Sequence, residues 1–201
     1  MSASERWQAL ESSPEVLTSL AQSLSGGDEG WRVQDVWGLD DELLAMCVDE
    51  SESEVAALVL LFPSRKGAER RPMDEEDVAK TEGMYFLRQD GRNGRLANAC
   101  GTIAICHALA NAGAVCELPP SSTLGAFVKD TRSNSVEERG ALLDASDSVH
   151  DVHKALVTSG QSQVLQSSQV QHHFVRYGGV GDGRTEHTAS RGVVIRADCE
   201  L

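Results

Sequence analysis

The sequence predicts a mixed α/β protein, in which strands alternate with helices along one chain. Short apolar runs of strand length, at residues 55–62 and 84–87, stand apart from segments whose apolar residues recur at helical spacing. Of the 201 residues, 40% are apolar and a further 18 are glycine, which is the composition of an ordinary globular protein. The length therefore fits one domain, or at most a small pair, with a sizeable core.

Capping residues mark the ends of the predicted helices. The first helix begins at Ser13-Pro14-Glu15, where a capping serine, a proline and an acid meet, and it ends at Gly26. A capping box at residues 135–138 begins another helix, expected to run to about Leu156. Small apolar residues over 100–111 predict a helix that is packed on most sides. The remaining helices are predicted at 40–46 and 123–128.

The predicted strands follow from continuous or alternating apolar runs. Residues 55–62 and 84–87 are apolar throughout, which is typical of strands buried on both faces. Further strands are predicted at 31–37, 172–177 and 193–195. Turns or loops are predicted at 90–95, 158–171 and 178–183. Residues 64–80 are charged and poor in apolar residues, which predicts either a mobile excursion or an exposed helix.

The charge of the chain is acidic and unevenly distributed. The formal net charge is −13, and residues 1–60 hold 13 acidic residues against two basic ones. Nucleic acid is not expected as a partner, because phosphate binding requires Lys and Arg. A basic protein or peptide fits better, with a merely solvated acidic surface as the alternative. No apolar run approaches the ~20 residues of a membrane span, so no membrane partner is expected.

The cysteines indicate a reducing compartment. Their odd number and their lack of metal-ligand spacing predict free thiols in the cytoplasm, with no metal or other cofactor. The first thirty residues contain no basic start followed by an apolar stretch, so no secretory signal is expected. The five cysteines are Cys47, Cys100, Cys106, Cys116 and Cys199.

Cys100 is the strongest candidate for chemistry. It begins a predicted helix, where free N–H groups and positive potential lower the pKa of a thiol. The alternative is that it is a small buried hydrophobic residue, as many free cysteines are. A nucleophilic cysteine needs a base within hydrogen-bond reach. His107 lies seven residues further on, roughly 10 Å along a helix axis, so we expect it to be structural.

The base is therefore expected on another element. His172 and His173 are neighbours on a predicted strand, so their side chains point to opposite faces and only one can meet Cys100. His150 and His153 lie on a charged helix and are expected at the surface. Asp182 is the first carboxylate after the histidine pair and is the candidate for orienting the base.

Residues 98–111 carry a longer motif, Asn-Ala-Cys-Gly-Thr-Ile-Ala-Ile-Cys-His-Ala-Leu-Ala-Asn. This motif closely resembles the active-site signature of the ubiquitin C-terminal hydrolases, a family of cysteine-type deubiquitinating peptidases. The resemblance extends in order over nearly all of residues 5–184. The other matching segments are 6–7, 10–11, 14–16, 31–44, 58–63, 85–89, 122–124 and 137–139.

The resemblance implies a role for each candidate residue. Cys100 would be the nucleophile that attacks the carbonyl of ubiquitin's C-terminal glycine, and His173 would be its base. Asp182 would orient His173, and Gln89 would donate a hydrogen bond to the oxyanion. The partner would be ubiquitin or a ubiquitin-like modifier, whose basic tail the acidic N-terminal third would complement. The loop at 158–171 matches the family's crossover loop, which favours small or unfolded leaving groups.

The resemblance also implies one catalytic domain over residues 5–201, a papain-like α/β/α sandwich with a central antiparallel sheet. Gln89 lies eleven residues before Cys100, where the family has six, and the stretch from His173 to Asp182 is shorter and richer in glycine. Because the chain ends soon after Asp182, we expect the family's last helix and central strand to be missing. The second hypothesis is therefore a catalytically impaired ubiquitin-binding pseudoenzyme or a truncated isoform.

Overall fold

The computed structural model contains helices and strands in mixed order. It describes residues 6–27, 30–38, 40, 42–43, 46, 54–63, 83–89, 95–113, 116–159, 172–177 and 191–197. The helices are α1 (Pro14–Ser25), α2 (Cys100–Ala110), α3 (Thr123–Thr131), α4 (Val136–Asp144) and α5 (Asp147–Val157). The strands are β1 (Trp31–Val36), β2 (Glu54–Pro63), β3 (His172–Tyr177) and β4 (Arg191–Ala197). A 3₁₀ turn, Arg95–Asn98, precedes α2.

The described strands form one antiparallel sheet in the order β1-β4-β2-β3. Strand β4 lies inside the sheet, with Ile195 opposite Val33 of β1 and Val193 opposite Val59 of β2. The expectation that the central strand is missing is therefore wrong. Only residues 193–195 form an apolar run in the sequence, but ladder hydrogen bonds on both edges extend the strand through its flanking Arg and Gly residues.

The helices build the core around α2. Nine of its residues are buried, from Cys100 to Leu109, so this helix is covered on nearly every side as its composition predicts. Helix α1 packs against β1 and α2 and also contacts α3 and α5. Its apolar stripe consists of Val16, Leu17, Leu20 and Leu24, all buried. Cys100, at the first residue of this helix, retains 7% exposure.

The predicted helix caps are present, with one difference. The Ser13 hydroxyl accepts from the Val16 N–H at 3.2 Å, and Gly26 ends α1 in the left-handed region. The capping box at Ser135 is formed. The single helix expected to reach residue 156 is instead two, because Ser146 caps a second helix by accepting from the Val149 N–H.

Residues 84–89 form neither helix nor strand and join no strand of the described sheet, so the strand predicted at 84–87 is wrong. Side chains of α2 accept and donate the hydrogen bonds that a neighbouring strand would otherwise supply. The predictions for 64–80, 90–94, 160–171, 178–183 and most of 40–46 concern residues outside the described ones.

Two properties bear on the predicted compartment. Among the described residues, no helix is both long enough and apolar enough to cross a membrane. Cys100 and Cys106 are not disulfide-bonded, whereas Cys116 is. The prediction of free thiols is therefore wrong for Cys116. An odd cysteine count requires at least one unpaired thiol, but it does not tell which cysteines the fold brings together.

Candidate active site

Cys100 is the first residue of α2 and is not disulfide-bonded. Its side chain is buried but retains 7% exposure. The residue before it, Ala99, has no side-chain acceptor to cap the helix. The N–H groups of a first helical turn have no partner within the helix, and the positive end of the helix dipole lies at this position. The predicted placement of Cys100 at a helix N-terminus is confirmed.

The N-terminal stretch of the chain holds the turn that leads into Cys100. The Trp7 N–H donates to the Arg95 carbonyl at 3.0 Å, and the Asn98 amide donates to the Trp7 carbonyl at 3.1 Å. Both Trp7 and Asn98 are buried. Residues far apart in sequence therefore fix the 3₁₀ turn, and with it the direction from which α2 begins.

His153 of α5 holds the first turn of α2 from another side. Its Nε2 donates to the Gln8 carbonyl at 2.9 Å, because a carbonyl can only accept, so Nδ1 accepts from the Thr102 hydroxyl at 2.7 Å. Burial lowers the pKa of His153 to about 4. The expected surface position of His153 is wrong, since its side chain is 1% exposed. His153 lies four residues from Val149 and four from Val157, which are also buried. This helical spacing in the sequence indicates that the three side chains share one face.

The second cysteine of α2 differs from the first. Cys106 is fully buried, and burial raises the pKa of its thiol to about 12. At neutral pH such a group remains a thiol, which is a weak nucleophile compared with the thiolate. Of the two free thiols on this helix, Cys100 is therefore the one suited to nucleophilic chemistry.

His107 is structural, as predicted. Its Nε2 accepts from the Leu87 N–H at 2.8 Å, and its ring packs edge-on against Phe86 with centroids 5.4 Å apart. An imidazole engaged in this way, seven residues along the helix from Cys100, is not the base for that thiol.

Gln89 is the last residue of the segment 83–89, and its side chain reaches the 3₁₀ turn before Cys100. Its side-chain amide Nε2 donates to the Leu96 carbonyl at 2.7 Å and to the Ala97 carbonyl at 3.1 Å. The structure thus brings the predicted oxyanion donor beside the N-terminal end of α2. Both acceptors belong to the 3₁₀ turn, and one of these hydrogen bonds must be exchanged before the amide can donate to an oxyanion.

The backbone of the predicted base is also near α2. His173 lies in β3 opposite Phe62 of β2, and the backbone of β3 runs alongside α2. Its side chain and Asp182 are outside the described residues, so their roles stay predictions. Within the part of the chain that is described, no three His, Cys, Asp or Glu side chains group to hold a metal ion.

The comparisons with known proteins agree with this geometry. Residues 7–185 match the family model of ubiquitin carboxyl-terminal hydrolase, family 1. A ubiquitin carboxyl-terminal hydrolase of Aplysia californica is 36% identical, over 87% of this chain and 78% of its own. A Drosophila melanogaster relative of the same name is 35% identical, over 84% and 72%. The chain belongs to the ubiquitin carboxyl-terminal hydrolase family.

The fold has counterparts among solved structures. The Trichinella spiralis UCH37 catalytic domain, determined bound to ubiquitin vinyl methyl ester, aligns with a TM-score of 0.67 at 19% identity. The alignment covers 96% of this chain and 96% of that one. The likeness supports the predicted α/β sandwich of papain-like type, whose helices and central antiparallel sheet are seen here.

Proposed function

We propose that the protein is a thiol-dependent hydrolase that removes small adducts or peptides from the C-terminal glycine of ubiquitin or a ubiquitin-like modifier. One observation carries the proposal. In a chain of this family, the cysteine of the family motif is the first residue of a buried helix, retains slight exposure and lies outside any disulfide. We place the activity in one catalytic domain over residues 5–201.

The proposed reaction proceeds through an acyl-enzyme. His173 takes the Cys100 proton, and the thiolate sulfur forms a bond to the carbonyl carbon of the C-terminal glycine. When the tetrahedral intermediate collapses, the bond to the leaving amine breaks and His173 returns the proton to that amine. Water, deprotonated by His173, then hydrolyses the thioester and restores the Cys100 thiol. Asp182 keeps the imidazole oriented throughout.

Gln89 is proposed as the side-chain donor to the tetrahedral oxyanion. Its position beside the 3₁₀ turn and the first turn of α2 supports this role. Loss of one oxyanion donor typically lowers kcat by about 10²–10³-fold. For this function, substrate binding must draw the amide away from the Leu96 or Ala97 carbonyl and toward the scissile carbonyl.

Charge supports ubiquitin as the partner. Residues 1–60 carry 11 of the 13 net negative charges, a surplus that suits a basic polypeptide tail. The Trichinella spiralis domain of similar fold was solved with a ubiquitin derivative. We place the protein in the cytoplasm, where the reducing milieu keeps a catalytic thiol reduced, although the disulfide of Cys116 is unusual for that compartment.

Hydrolysis of ubiquitin with a fluorogenic amide on its C-terminal glycine tests the proposal. The wild-type protein should release the fluorophore, and Cys100→Ala should release none above background. His173→Ala should abolish turnover while the matched neighbour variant His172→Ala retains most of it. Equal loss in both histidine variants, or turnover by Cys100→Ala, would contradict the assignment.

The second candidate is a ubiquitin-binding protein with impaired catalysis. The engagement of both Gln89 amide hydrogens by backbone carbonyls favours it, because no side-chain N–H of that residue is then free for an oxyanion. This candidate predicts saturable ubiquitin binding in a calorimetric titration and no fluorophore release. Ubiquitin binding together with fluorophore release would exclude this second candidate.

A further inference from the structure

Residues 83–89, which end at Gln89, lie between two helices without joining the sheet. The burial of the side chains alternates over residues 85–88 of this segment. Tyr85 and Leu87 are buried, whereas Arg88 is exposed. Gln89, the next residue in the buried series, points to the same inner side and contacts the 3₁₀ turn. The direction of the Gln89 amide therefore depends on the contacts that hold Tyr85 and Leu87.

Asn111, just past the end of α2, holds Tyr85 through both of its backbone polar groups. The Tyr85 N–H donates to Asn111 Oδ1 at 2.7 Å, and Asn111 Nδ2 donates to the Tyr85 carbonyl at 2.9 Å. The same Nδ2 donates to the His107 carbonyl at 2.7 Å, which ties the amide to its own helix. One side chain thus does what a neighbouring strand does in a ladder.

His107 holds the next inward-facing residue of the segment. Its Nε2 accepts the Leu87 N–H at 2.8 Å, two residues before Gln89. Asn111 and His107 are four residues apart, so both lie on one face of the helical turn. Cys100 is the first residue of the same helix. Because a helix is a rigid element, the hydrogen bonds that fix the segment also fix Gln89 relative to Cys100.

Contacts from the opposite side hold the segment against α2. The Arg139 guanidinium lies 4.6 Å from the centre of the Tyr85 ring, and the Tyr85 hydroxyl lies 2.5 Å from the Thr131 hydroxyl oxygen. Gly140 approaches the Arg88 carbonyl so closely that a Cβ would collide with it. These contacts press the segment onto α2, but only those of α2 connect it to the helix of the nucleophile.

We infer that His107 and Asn111 are positioning residues of this active site, which aim the Gln89 amide by binding the backbone of residues 85 and 87. The inference rests on the proposed function and goes beyond it by assigning a role to two side chains that do not touch the substrate. Their loss should lower kcat through Gln89 alone and leave the affinity for ubiquitin unchanged.

A double-mutant cycle on the hydrolysis of the ubiquitin C-terminal amide tests the inference. Gln89→Ala should lower kcat by about 10²–10³-fold. His107→Ala should lower kcat by about 10- to 100-fold, as misplacement of a reacting group does, but should change it less than about twofold when Gln89 is already alanine. Asn111→Ala should behave in the same way. KM and the calorimetric Kd for ubiquitin should stay within about twofold throughout.

Two variants control for structural damage. His107→Gln places an amide oxygen near the position of Nε2 and should restore kcat to within about threefold of wild type. Glu137→Gln removes the partner of Arg88 on the exposed side of the same segment and should leave kcat unchanged. Hydrogen exchange should show faster exchange of the segment amides in His107→Ala but not in Glu137→Gln.

The outcomes separate the inference from the proposed function. If His107→Ala lowers kcat equally with and without Gln89, or leaves kcat unchanged while Gln89→Ala lowers it, the inference fails and the proposed function stands. If the wild-type protein hydrolyses no ubiquitin derivative, or Gln89→Ala leaves kcat unchanged, the proposed function or its oxyanion assignment fails and the inference fails with it.

Discussion

Helix α2 carries a cysteine at its first residue and another in its middle, and the two differ in their environments. At the N-terminal end, Cys100 retains 7% exposure and lies among N–H groups that lack helical partners. Six residues later, Cys106 is fully buried, and burial raises the pKa of its thiol to about 12. The comparison teaches that solvent access and position in the helix, rather than residue type, decide which thiol can become a nucleophile.

The two ends of α2 differ in what holds them. Near the N-terminal end, Thr102 is bound to His153 and Asn98 is bound to Trp7. These partners come from α5 and from the N-terminal stretch. Near the other end, His107 and Asn111 bind the backbone of residues 85 and 87. The first set of contacts places the nucleophile, and the second holds the segment that carries the proposed oxyanion donor.

The largest expected effect comes from removing one thiol at a time. Cys100→Ala should lower kcat for a ubiquitin C-terminal amide by about 10⁵-fold or more, since removing a nucleophile eliminates the covalent path. Cys106→Ala should keep kcat within about twofold and lower the free energy of unfolding by about 1 kcal/mol, because it leaves a small cavity. Steady-state kinetics and urea unfolding measure the two effects. A large loss of kcat in Cys106→Ala would contradict the assignment of the reactive thiol to Cys100 alone.

The next effect is a loss of folding stability in acid. It is caused by His153, which binds Thr102 near the N-terminal end of α2. Burial lowers the pKa of His153 from 6.5 to about 4, so between these values the unfolded chain binds a proton that the folded protein does not. Stability is therefore full above pH 6.5 and falls as the pH drops toward 4, by about 3 kcal/mol in all. Urea unfolding at several pH values measures this loss.

His153→Gln is the variant that isolates this histidine. It should be less stable than wild type at pH 7, because the hydrogen bond to Thr102 or to Gln8 is lost, but its stability should fall less steeply with acid. His150→Gln on the same helix is the comparison variant and should retain most of the fall, because burial of His153 lowers its pKa more than the nearby charge of His150 does. If the stability of His153→Gln and of wild type fell equally with decreasing pH, another titrating group would be the cause of the loss.

A smaller effect is expected where residues 83–89 face α4, on the side away from α2. In Gly140→Ala, the new Cβ would meet the Arg88 carbonyl, so we expect a loss of about 1–3 kcal/mol in the free energy of unfolding, as overpacking causes. Gly113→Ala is the matched control, because a Cβ there meets nothing within 4 Å. Thermal and urea unfolding compare the two. Equal stability of both variants would mean that α4 does not press on the segment.

The smallest effect is expected at the exposed ion pair on this segment. The Arg88 guanidinium and the Glu137 carboxylate lie 2.7 Å apart, with more than half of each side chain exposed. Exposed pairs of this kind are screened by solvent and salt. Glu137→Gln should therefore leave the melting temperature unchanged within error, at both low and high salt. A salt-sensitive drop would show that this contact also holds the segment.

The sequence predicted the elements whose signals are local. Capping residues identified α1 and the start of α4, and composition identified α2 as a helix packed on nearly every side. The cysteine at its first residue followed from the same pattern. Ser146 was missed as the cap of a separate helix because one capping serine among several in a polar stretch looks ordinary.

The errors arose where distant contacts decide the structure. The apolar run at 84–87 resembles a strand, but helix side chains, not a strand, satisfy its backbone. Strand β4 is central even though its Arg and Gly residues have low strand propensity, because both neighbours pair with it. His153 was placed at the surface, although its spacing from Val149 and Val157 was visible in the sequence.

The central claim, that the N-terminal end of α2 carries the reactive thiol, is tested most directly by locating a covalent adduct. The protein is reacted with ubiquitin that bears a C-terminal electrophile, digested, and analysed by peptide mass spectrometry. We predict that the adduct forms on Cys100 alone and that Cys100→Ala forms none. An adduct on Cys106 or on another cysteine, or adduct formation that persists in Cys100→Ala, would contradict the account.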